Sequence, residues 1–375
     1  MRRVYILYYN FLDSKGENLK VGGIETYIIQ LILLIKKIGL DPVIIQKSDV
    51  NFEKEYLNTK VIGLKCLTKK PRIELIRFCE KLINNDLDIV IFASNSINAK
   101  HNFNKAVSIQ HGICWDVPYK NKYSKYLFTD VMSKAYKAVK LIKEINYVEN
   151  TVCVDYNFIN WYRTQVSKSN INLFPIPNFV NLNGEITKKE NEIPKIIFAR
   201  RFEMYRGTRL FASVIKRLLK ENIEFEVIIA GEGSDEEWLH QQLGRYKNIS
   251  FIKYNPEDSL KVHIEADIAV IPTIGSEGTS LSLLEAMGAK CAVIASNVGG
   301  MTNIVLDQFN GLLISPTEEQ LYNAIYKLLK NREYRKMLGE NASYTVLNSF
   351  SHSIWEEKWR DLLIRLINDD SGVQR

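Results

Sequence analysis

Residues 275–300 read GSEGTSLSLLEAMGAKCAVIASNVGG. Glu277 lies in the Gly/Ser/Thr loop and Glu285 in the apolar run behind it. A carboxylate among Leu, Ala and Met is costly to bury without a partner. Strand-like DIAVIP (267–272) precedes the loop and helix-like LSLLEAMGA follows it. Gly278 lets a ligand approach the backbone, and Thr279 or Ser280 can cap the helix. Free N–H groups and the helix dipole there favour a phosphate. Glu285, about two turns further in, can accept two hydroxyl protons, as a ribose would offer. Glu277 can accept the hydroxyls of a second sugar. The bland alternative is a solvent-exposed Glu277 and a Glu285 paired with a lysine.

Other clusters point the same way. FARRFEMYRGTRLF (198–211) follows the strand-like KIIFA and crowds Arg200, Arg201, Arg206 and Arg209 into one turn. Guanidinium groups bind phosphate bidentately, so the turn reads as a diphosphate site rather than a solvated face. KVGGIETYIIQLI (20–32) puts Gly22 and Gly23 between a first strand and a first helix, a glycine-rich anion loop. SIQHGICWD (108–116) sets His111 after a strand, where it can donate a hydrogen bond or move a proton. A structural histidine fits that position equally well. GEGSDEEWL (231–239) is a weak GxG loop in which Ser234 or Asp235 can cap the next helix. Asp86 and Asp88 of NDLDIV form a DxD, but Asp88 leads into the amino end of a strand. That is the wrong end for a ligand, so no catalytic metal is expected.

The elements that must position these residues are legible as alternation. Short apolar β-rich runs recur at 4–9, 42–46, 88–93, 106–110 and 151–154, and again at 195–200, 225–230, 267–272, 291–295 and 311–314. Such runs suit strands buried on both faces of a parallel sheet. Helical patterns lie between them, at 24–38, 208–222, 234–246, 279–289 and 318–330. The class is α/β, with doubly wound parallel sheets. The polar, proline-ended stretch 177–194 reads as a linker. It gives domains 1–180 and 181–350, with a helix in 351–375 carrying Trp355 and Trp359 and packing back on the first domain.

Composition narrows the class. The chain has 375 residues, 46% hydrophobic and 25% charged, as an ordinary globular protein has. No apolar run approaches the roughly 18–20 residues of a membrane span. The N-terminus reads as a buried strand rather than a signal peptide. The 5 cysteines are scattered without CxxC, which suits a reducing cytoplasm. Lys+Arg against Asp+Glu is 26 against 16 in residues 1–180 and 24 against 27 in 181–375, or +10 and −3. The first half is the side for an anionic surface or substrate. In 133–145, Lys134, Lys137, Lys140 and Lys143 recur every three residues. That pattern fits a helix lying on an anionic membrane, or a solvated face over a core.

Taken together, the motifs resemble the retaining glycosyltransferases of family 4, which have the GT-B fold. The family's GGxE matches Gly22, Gly23 and Glu25. Its PNGVD linker looks like PNFVN (177–181), and its GRLxxxKG turn aligns with RRFEMYRG (200–207). Its pair of glutamates and the following VGG and NGLL align with 277–313. The resemblance implies two Rossmann-like domains facing each other across a cleft, with the sugar nucleotide held mainly by the second. Arg201 and Arg206 would hold the diphosphate, with backbone N–H groups of Gly278, Thr279, Ser280 and Leu281. Glu285 would bind the ribose, and Glu277 the donor sugar near its reacting carbon. Gly23 would approach the phosphates, His111 would contact the donor sugar, and Lys253 and Tyr254 would flank the base.

Arg206 replaces the family's lysine and Arg200 its glycine. Lys290 and Cys291 replace a small residue and proline, and Asn303 a frequent glutamate. The resemblance implies retaining, metal-independent transfer with no cofactor. The donor would be a UDP-, GDP- or similar sugar, and the acceptor a glycan or lipid-linked glycan in cell-surface polysaccharide biosynthesis. The enzyme would be cytoplasmic, with the lysine helix offering a peripheral contact to an anionic membrane, and would bind no nucleic acid. Alternatives are a GT-B sugar-nucleotide epimerase, which would release sugar without an acceptor, and a non-catalytic sugar-nucleotide binding module. A Rossmann dehydrogenase is weaker, because no full GxGxxG follows the first strand.

Overall fold

The structure is a computed structural model that describes residues 2–20, 22–113, 126–182, 184, 186–188, 191–255, 258–275 and 277–368. The chain separates by packing into two units. The first comprises 1–111, 132–176 and 356–375, and the second 112–131 and 177–355.

The first unit has strands β1 (Arg3–Tyr8), β2 (Asp41–Ser48), β3 (Phe52–Tyr56), β4 (Thr59–Lys65), β5 (Ile89–Phe92), β6 (Ala106–Gln110), β7 (Asn150–Cys153) and β8 (Asn172–Pro175). Helices α1 (Gly23–Lys37), α2 (Pro71–Glu80), α3 (Leu127–Ile145, from Met132 on) and α4 (Tyr156–Gln165) alternate with them. The sheet runs β3-β4-β2-β1-β5-β6-β7-β8, parallel except for the β3–β4 hairpin. That hairpin has no counterpart in the apolar-run reading. Its outer strand, FEKEY, is polar because it is an edge. Its turn takes Leu57 and Asn58 to φ of 50° and 53° without a glycine to signal it. Helix α1 buries Tyr27, Ile28, Leu31, Ile32, Leu34 and Ile35 and stops at Gly39, whose φ of 81° no helix continues through.

The second unit has strands β9 (Lys195–Ala199), β10 (Glu226–Ala230), β11 (Ile249–Ile252), β12 (Ile268–Ile271), β13 (Ala292–Ser296) and β14 (Leu312–Ile314). Helices α5 (Thr208–Leu218), α6 (Glu236–Leu243), α7 (Ser259–Ile264), α8 (Leu281–Gly288), α9 (Glu318–Lys330) and α10 (Arg332–Ser349) complete it, with the first turn of α11 (His352–Asn368). The order is β11-β10-β9-β12-β13-β14, all parallel. Every residue of β12 and β13 is buried, as a central parallel strand requires. Each buried Ile, Val or Phe contributes about 1.5–3 kcal/mol by leaving water.

The order of the parallel strands reverses beside β1 in the first sheet and beside β9 in the second. Ligands in open α/β sheets bind at that reversal, beyond the carboxyl ends of the strands. In the second unit the reversal separates β9 from β12, so Arg200 and Pro272 are the first residues past it. Helix α11 divides between the units after Trp355. Trp355 packs on Phe179 at 4.6 Å between centroids, and the Trp359 indole N–H donates to the Tyr27 hydroxyl at 2.6 Å. Residues 369–375 lie outside the described residues.

Candidate active site

Arg200 emerges from β9 and Thr273 from β12, and Glu277 follows four residues later. One carboxylate oxygen of Glu277, Oε2, accepts from all three partners: the Arg200 guanidinium at 3.0 Å, the Thr273 hydroxyl at 3.1 Å, and the Arg206 guanidinium. Arg200 also donates to Thr273 Oγ1 at 2.7 Å. The other oxygen, Oε1, has no partner among the described residues. The side chains of Arg200 and Glu277 are 4% and 9% exposed, and that of Arg206 is 25% exposed. Burial alone would raise the Glu277 carboxyl, but the Arg206 and Arg200 charges outweigh it and hold the group below the ordinary carboxylate range. Burial pulls the Arg200 guanidinium down to about 10, which still leaves it charged at neutral pH.

Glycines fix the main chains that carry these groups. Gly207 has φ of 87°, and a Cβ there would meet the Pro272 carbonyl, so the Arg206 turn lies directly on the chain leaving β12. Gly231 and Gly233, with φ of 132° and 156°, let the β10–α6 loop cross the carbonyls of Arg200 and Phe202. The Phe202 N–H donates to the Glu232 carbonyl at 2.8 Å across that crossing. Gly299 leaves room for the Glu277 carbonyl, which accepts from the Gly300 N–H at 2.9 Å. The Gly pair at 299–300 therefore clasps Glu277 from behind.

The positions named from sequence divide three ways. Glu277, Arg206 and Arg200 are brought together, but Glu277 is not at a solvated loop tip, nor is it the exposed carboxylate of the bland alternative. Arg201 is exposed, and its side chain has no hydrogen bond or ion pair among the described residues. Gly278, Thr279, Ser280 and Leu281 do lead into α8. No side chain caps that helix; the Ser280 hydroxyl instead meets that of Ser282 at 3.3 Å. Asp235 likewise does not cap α6 by its side chain, because it is bonded to Thr208 and paired with Arg209. Asn178 of PNFVN donates to the Thr279 carbonyl at 2.7 Å, tying the interdomain segment to the α8 loop. Its place in that motif was the only sequence signal for it.

Glu285 sits on α8 and accepts from the Ser259 hydroxyl at 2.6 Å, so its partner is not a lysine. Burial pushes its carboxyl up to about 6, with the Ser259 bond opposing. Burial also raises the nearby Tyr254 phenol to about 12, with the Glu285 charge adding to it. Lys253 is exposed and pairs with Glu236 at 2.9 Å. Cys291, in the place of a proline, uses the N–H a proline lacks, donating to the Ala286 carbonyl at 3.0 Å.

In the first unit, Gly22 caps α1 in extended backbone. A Cβ there would meet the Glu25 carboxylate, which folds back and accepts from the Tyr8 hydroxyl at 2.8 Å. Gly23 opens the helix. The loop that read as an anion cradle thus already holds a carboxylate of its own, and Tyr8 and Glu25 are polar residues of this end that the sequence reading left aside. His111 has its Nε2 at 2.8 Å from the Ala93 carbonyl, so Nε2 carries the proton. Burial lowers its pKa to about 4. The imidazole is neutral, and the nitrogen left over, Nδ1, accepts rather than donates. Residues 114–125 lie outside the described residues.

Asp88 accepts the backbone N–H groups of Arg3 and Asn84, both at 2.8 Å, which is turn chemistry. Among the described residues no group of three or more His, Cys, Asp or Glu is placed to hold a metal. On α3, Leu127, Phe128, Tyr136 and Val139 are between 66% and 82% exposed, on the side that also shows Lys140 and Lys143. Leu141 and Ile145 turn inward. No helix of the described residues is long and apolar enough to cross a membrane.

Residues 182–344 match the family model of glycosyl transferases group 1. An uncharacterized glycosyltransferase of Methanocaldococcus jannaschii is 27% identical over 80% of this chain and 81% of its own length. The sucrose-phosphate synthase of Thermosynechococcus elongatus superposes with a TM-score of 0.75 at 15% identity, covering 98% of this chain and 100% of that one. S. aureus TarM, solved with fondaparinux, alpha-GlcNAc-glycerol and UDP, gives 0.74 at 14% identity, over 96% of this chain and 99% of that one. The fold is GT-B. The family match lies within the second unit, and the archaeal relative, a glycosyltransferase by name, spans most of the chain.

Proposed function

We propose that the protein is a retaining, metal-independent glycosyltransferase. It moves a sugar from a nucleoside diphosphate to a hydroxyl of a glycan or lipid-linked glycan at the cytoplasmic face of an anionic membrane, in the making of a surface polysaccharide. The observation that carries the reading is Glu277 at the strand reversal, with one oxygen saturated and the other open. An open carboxylate oxygen in a site with surplus positive charge suits a neutral polyol joined to an anionic diphosphate. As the sugar leaves, its ring becomes oxocarbenium-like and the nucleoside diphosphate gains charge. Arg206, Arg201 and the α8 N-terminus would stabilise that charge without a metal. Glu285 would take the ribose hydroxyls once they displace the Ser259 hydroxyl. His111 would accept a hydrogen bond from a sugar hydroxyl through Nδ1. Lys253 and Tyr254 would lie at the base, and Gly22 and Gly23 near the phosphates. The exposed aromatic and basic side of α3 supports a membrane-surface location.

Retention follows the family pattern and is assigned here to front-face attack by the acceptor hydroxyl. The test is a panel of UDP-, GDP- and other nucleotide sugars with glycan and lipid-linked acceptors, scored for hydrolysis, transfer, anomeric configuration and the effect of a chelator. Transfer with retained configuration, unaffected by chelator, is expected. Inversion, chelator-sensitive transfer, binding without turnover, or free sugar released with no acceptor dependence would each overturn the reading.

A further inference from the structure

We infer that Arg200 is a positioning residue that grips the inner oxygen of Glu277, so that the outer oxygen keeps its aim when Arg206 turns to a donor diphosphate. The inference rests on the sugar-nucleotide reading above and adds a role that the aligned motif, with glycine at this position, does not contain. Four observations carry it. Arg200 is the more deeply buried of the two cations, at 4% exposure against 25% for Arg206, so Arg206 is the one a ligand can reach. All three bonds to the carboxylate converge on Oε2, which leaves Oε1 as the only oxygen with capacity for a substrate hydroxyl. Arg200 also orients Thr273, the third donor to that oxygen. Both backbones are fixed from behind, Arg200 by the Gly231–Gly233 crossing and Glu277 by Gly299 and Gly300.

If Arg206 were the sole partner, its departure toward a diphosphate would strand a buried carboxylate, which would then take up a proton. Arg200 prevents that. It does so although its own Nε is buried without a hydrogen-bond partner among the described residues, a cost that glycine would not incur. The charged groups acting on this carboxylate are Arg206, on the turn before α5, and Arg200, past β9; Tyr205 acts on both arginines and Tyr254 interacts with Arg200.

The test compares R200M, R200K and R206M with wild type. Binding of UDP and of GDP is measured by calorimetry. Transfer is followed from about pH 5 to 9, using the donor that the panel identifies. For R200M we expect nucleoside diphosphate affinity within about twofold of wild type, kcat reduced about a hundredfold, and an acid limb of kcat moved up by about one pH unit or more. R200K should recover about tenfold of that loss, because an ammonium restores the charge without the fork. R206M should instead lose about tenfold or more in nucleotide affinity. Retained nucleotide binding also reports that R200M is folded. If R200M does not fold, R200K decides: near-normal nucleotide affinity with kcat down about tenfold supports the role, and wild-type kcat overturns it. Loss of nucleotide affinity in R200M as large as in R206M would also overturn it, by making Arg200 a diphosphate ligand. A wild-type protein that binds no nucleoside diphosphate and transfers nothing sinks the parent reading as well. Normal wild-type transfer with an unmoved limb and wild-type kcat in R200M sinks this inference alone.

Discussion

On the proposed ribose role, Glu285 gives nucleotide binding a dependence on pH. Its carboxyl, held up to about 6 by burial, must be ionised to accept ribose hydroxyls. Nucleotide affinity should therefore rise about tenfold between pH 5 and 7.5, with most of the change near pH 6, and E285Q should bind weakly and flatly with pH. Calorimetry across that range checks it, and a flat wild-type profile would remove the ribose role. Stability runs the opposite way. The folded pKa is raised, so the group's contribution is full below its unfolded value and fades as pH rises through about 6, by about 2 kcal/mol. Glu277 needs a gentler substitution than alanine. Truncation would leave Arg200 buried and uncompensated, at a cost of about 3–5 kcal/mol, so E277A should melt early. E277Q keeps an oxygen for the three donors; it should stay folded by circular dichroism while transfer falls about a hundredfold or more. Equal loss of stability in both variants would contradict the anchoring seen here.

At the level of elements, much of the site was legible because each residue type had few other uses in its context. A glutamate after a strand and before a helix, an arginine turn after KIIFA, and apolar runs of period one all survive in the structure. Partnership was not legible. The sequence cannot show that Arg200 rather than Arg201 turns inward, since adjacent arginines differ only in which side of the chain leaving β9 they occupy. Nor could it show that Glu25 occupies the Gly22 loop, because a carboxylate three residues along is also the ordinary first-turn choice. The FEKEY edge strand was missed because edges need not be apolar. The glycines of the GxG-like GEG loop and of VGG are crossings of one main chain over another. Gly207→Ala should therefore destabilise the second unit by several degrees in thermal unfolding, since φ of 87° and the Pro272 carbonyl both oppose a Cβ. Gly39→Ala, with nothing within 4 Å of its Cβ, should lose only the conformational part, about 1 kcal/mol. A G207A melting curve matching wild type would mean the turn can move off β12.

For the whole molecule, the charge asymmetry now has a place to act. The first half carries the surplus of lysine and arginine, and α3 shows Phe128, Tyr136 and Val139 together with Lys140 and Lys143. Wild type should sediment with vesicles containing phosphatidylserine at low salt, and the K140E/K143E pair should lose about tenfold in that partitioning. Replacing Phe128 by serine should weaken binding at high salt as well, because its contribution is apolar. Equal sedimentation of wild type with neutral vesicles would assign the attraction to the apolar residues alone.

Helix α11 decides how this chain can be cut and recombined. Its opening turn fills a hollow beside Phe179, while everything from Glu356 onward, including the indole that holds the Tyr27 hydroxyl, is counted with the first unit. A hybrid that grafts a relative's donor half at residue 177 and runs it to the C-terminus would bring a foreign helix to Tyr27. The cleaner exchange is a cassette of 177–355, returned to the native sequence at Glu356, because the first unit is built from segments on both sides of that cassette.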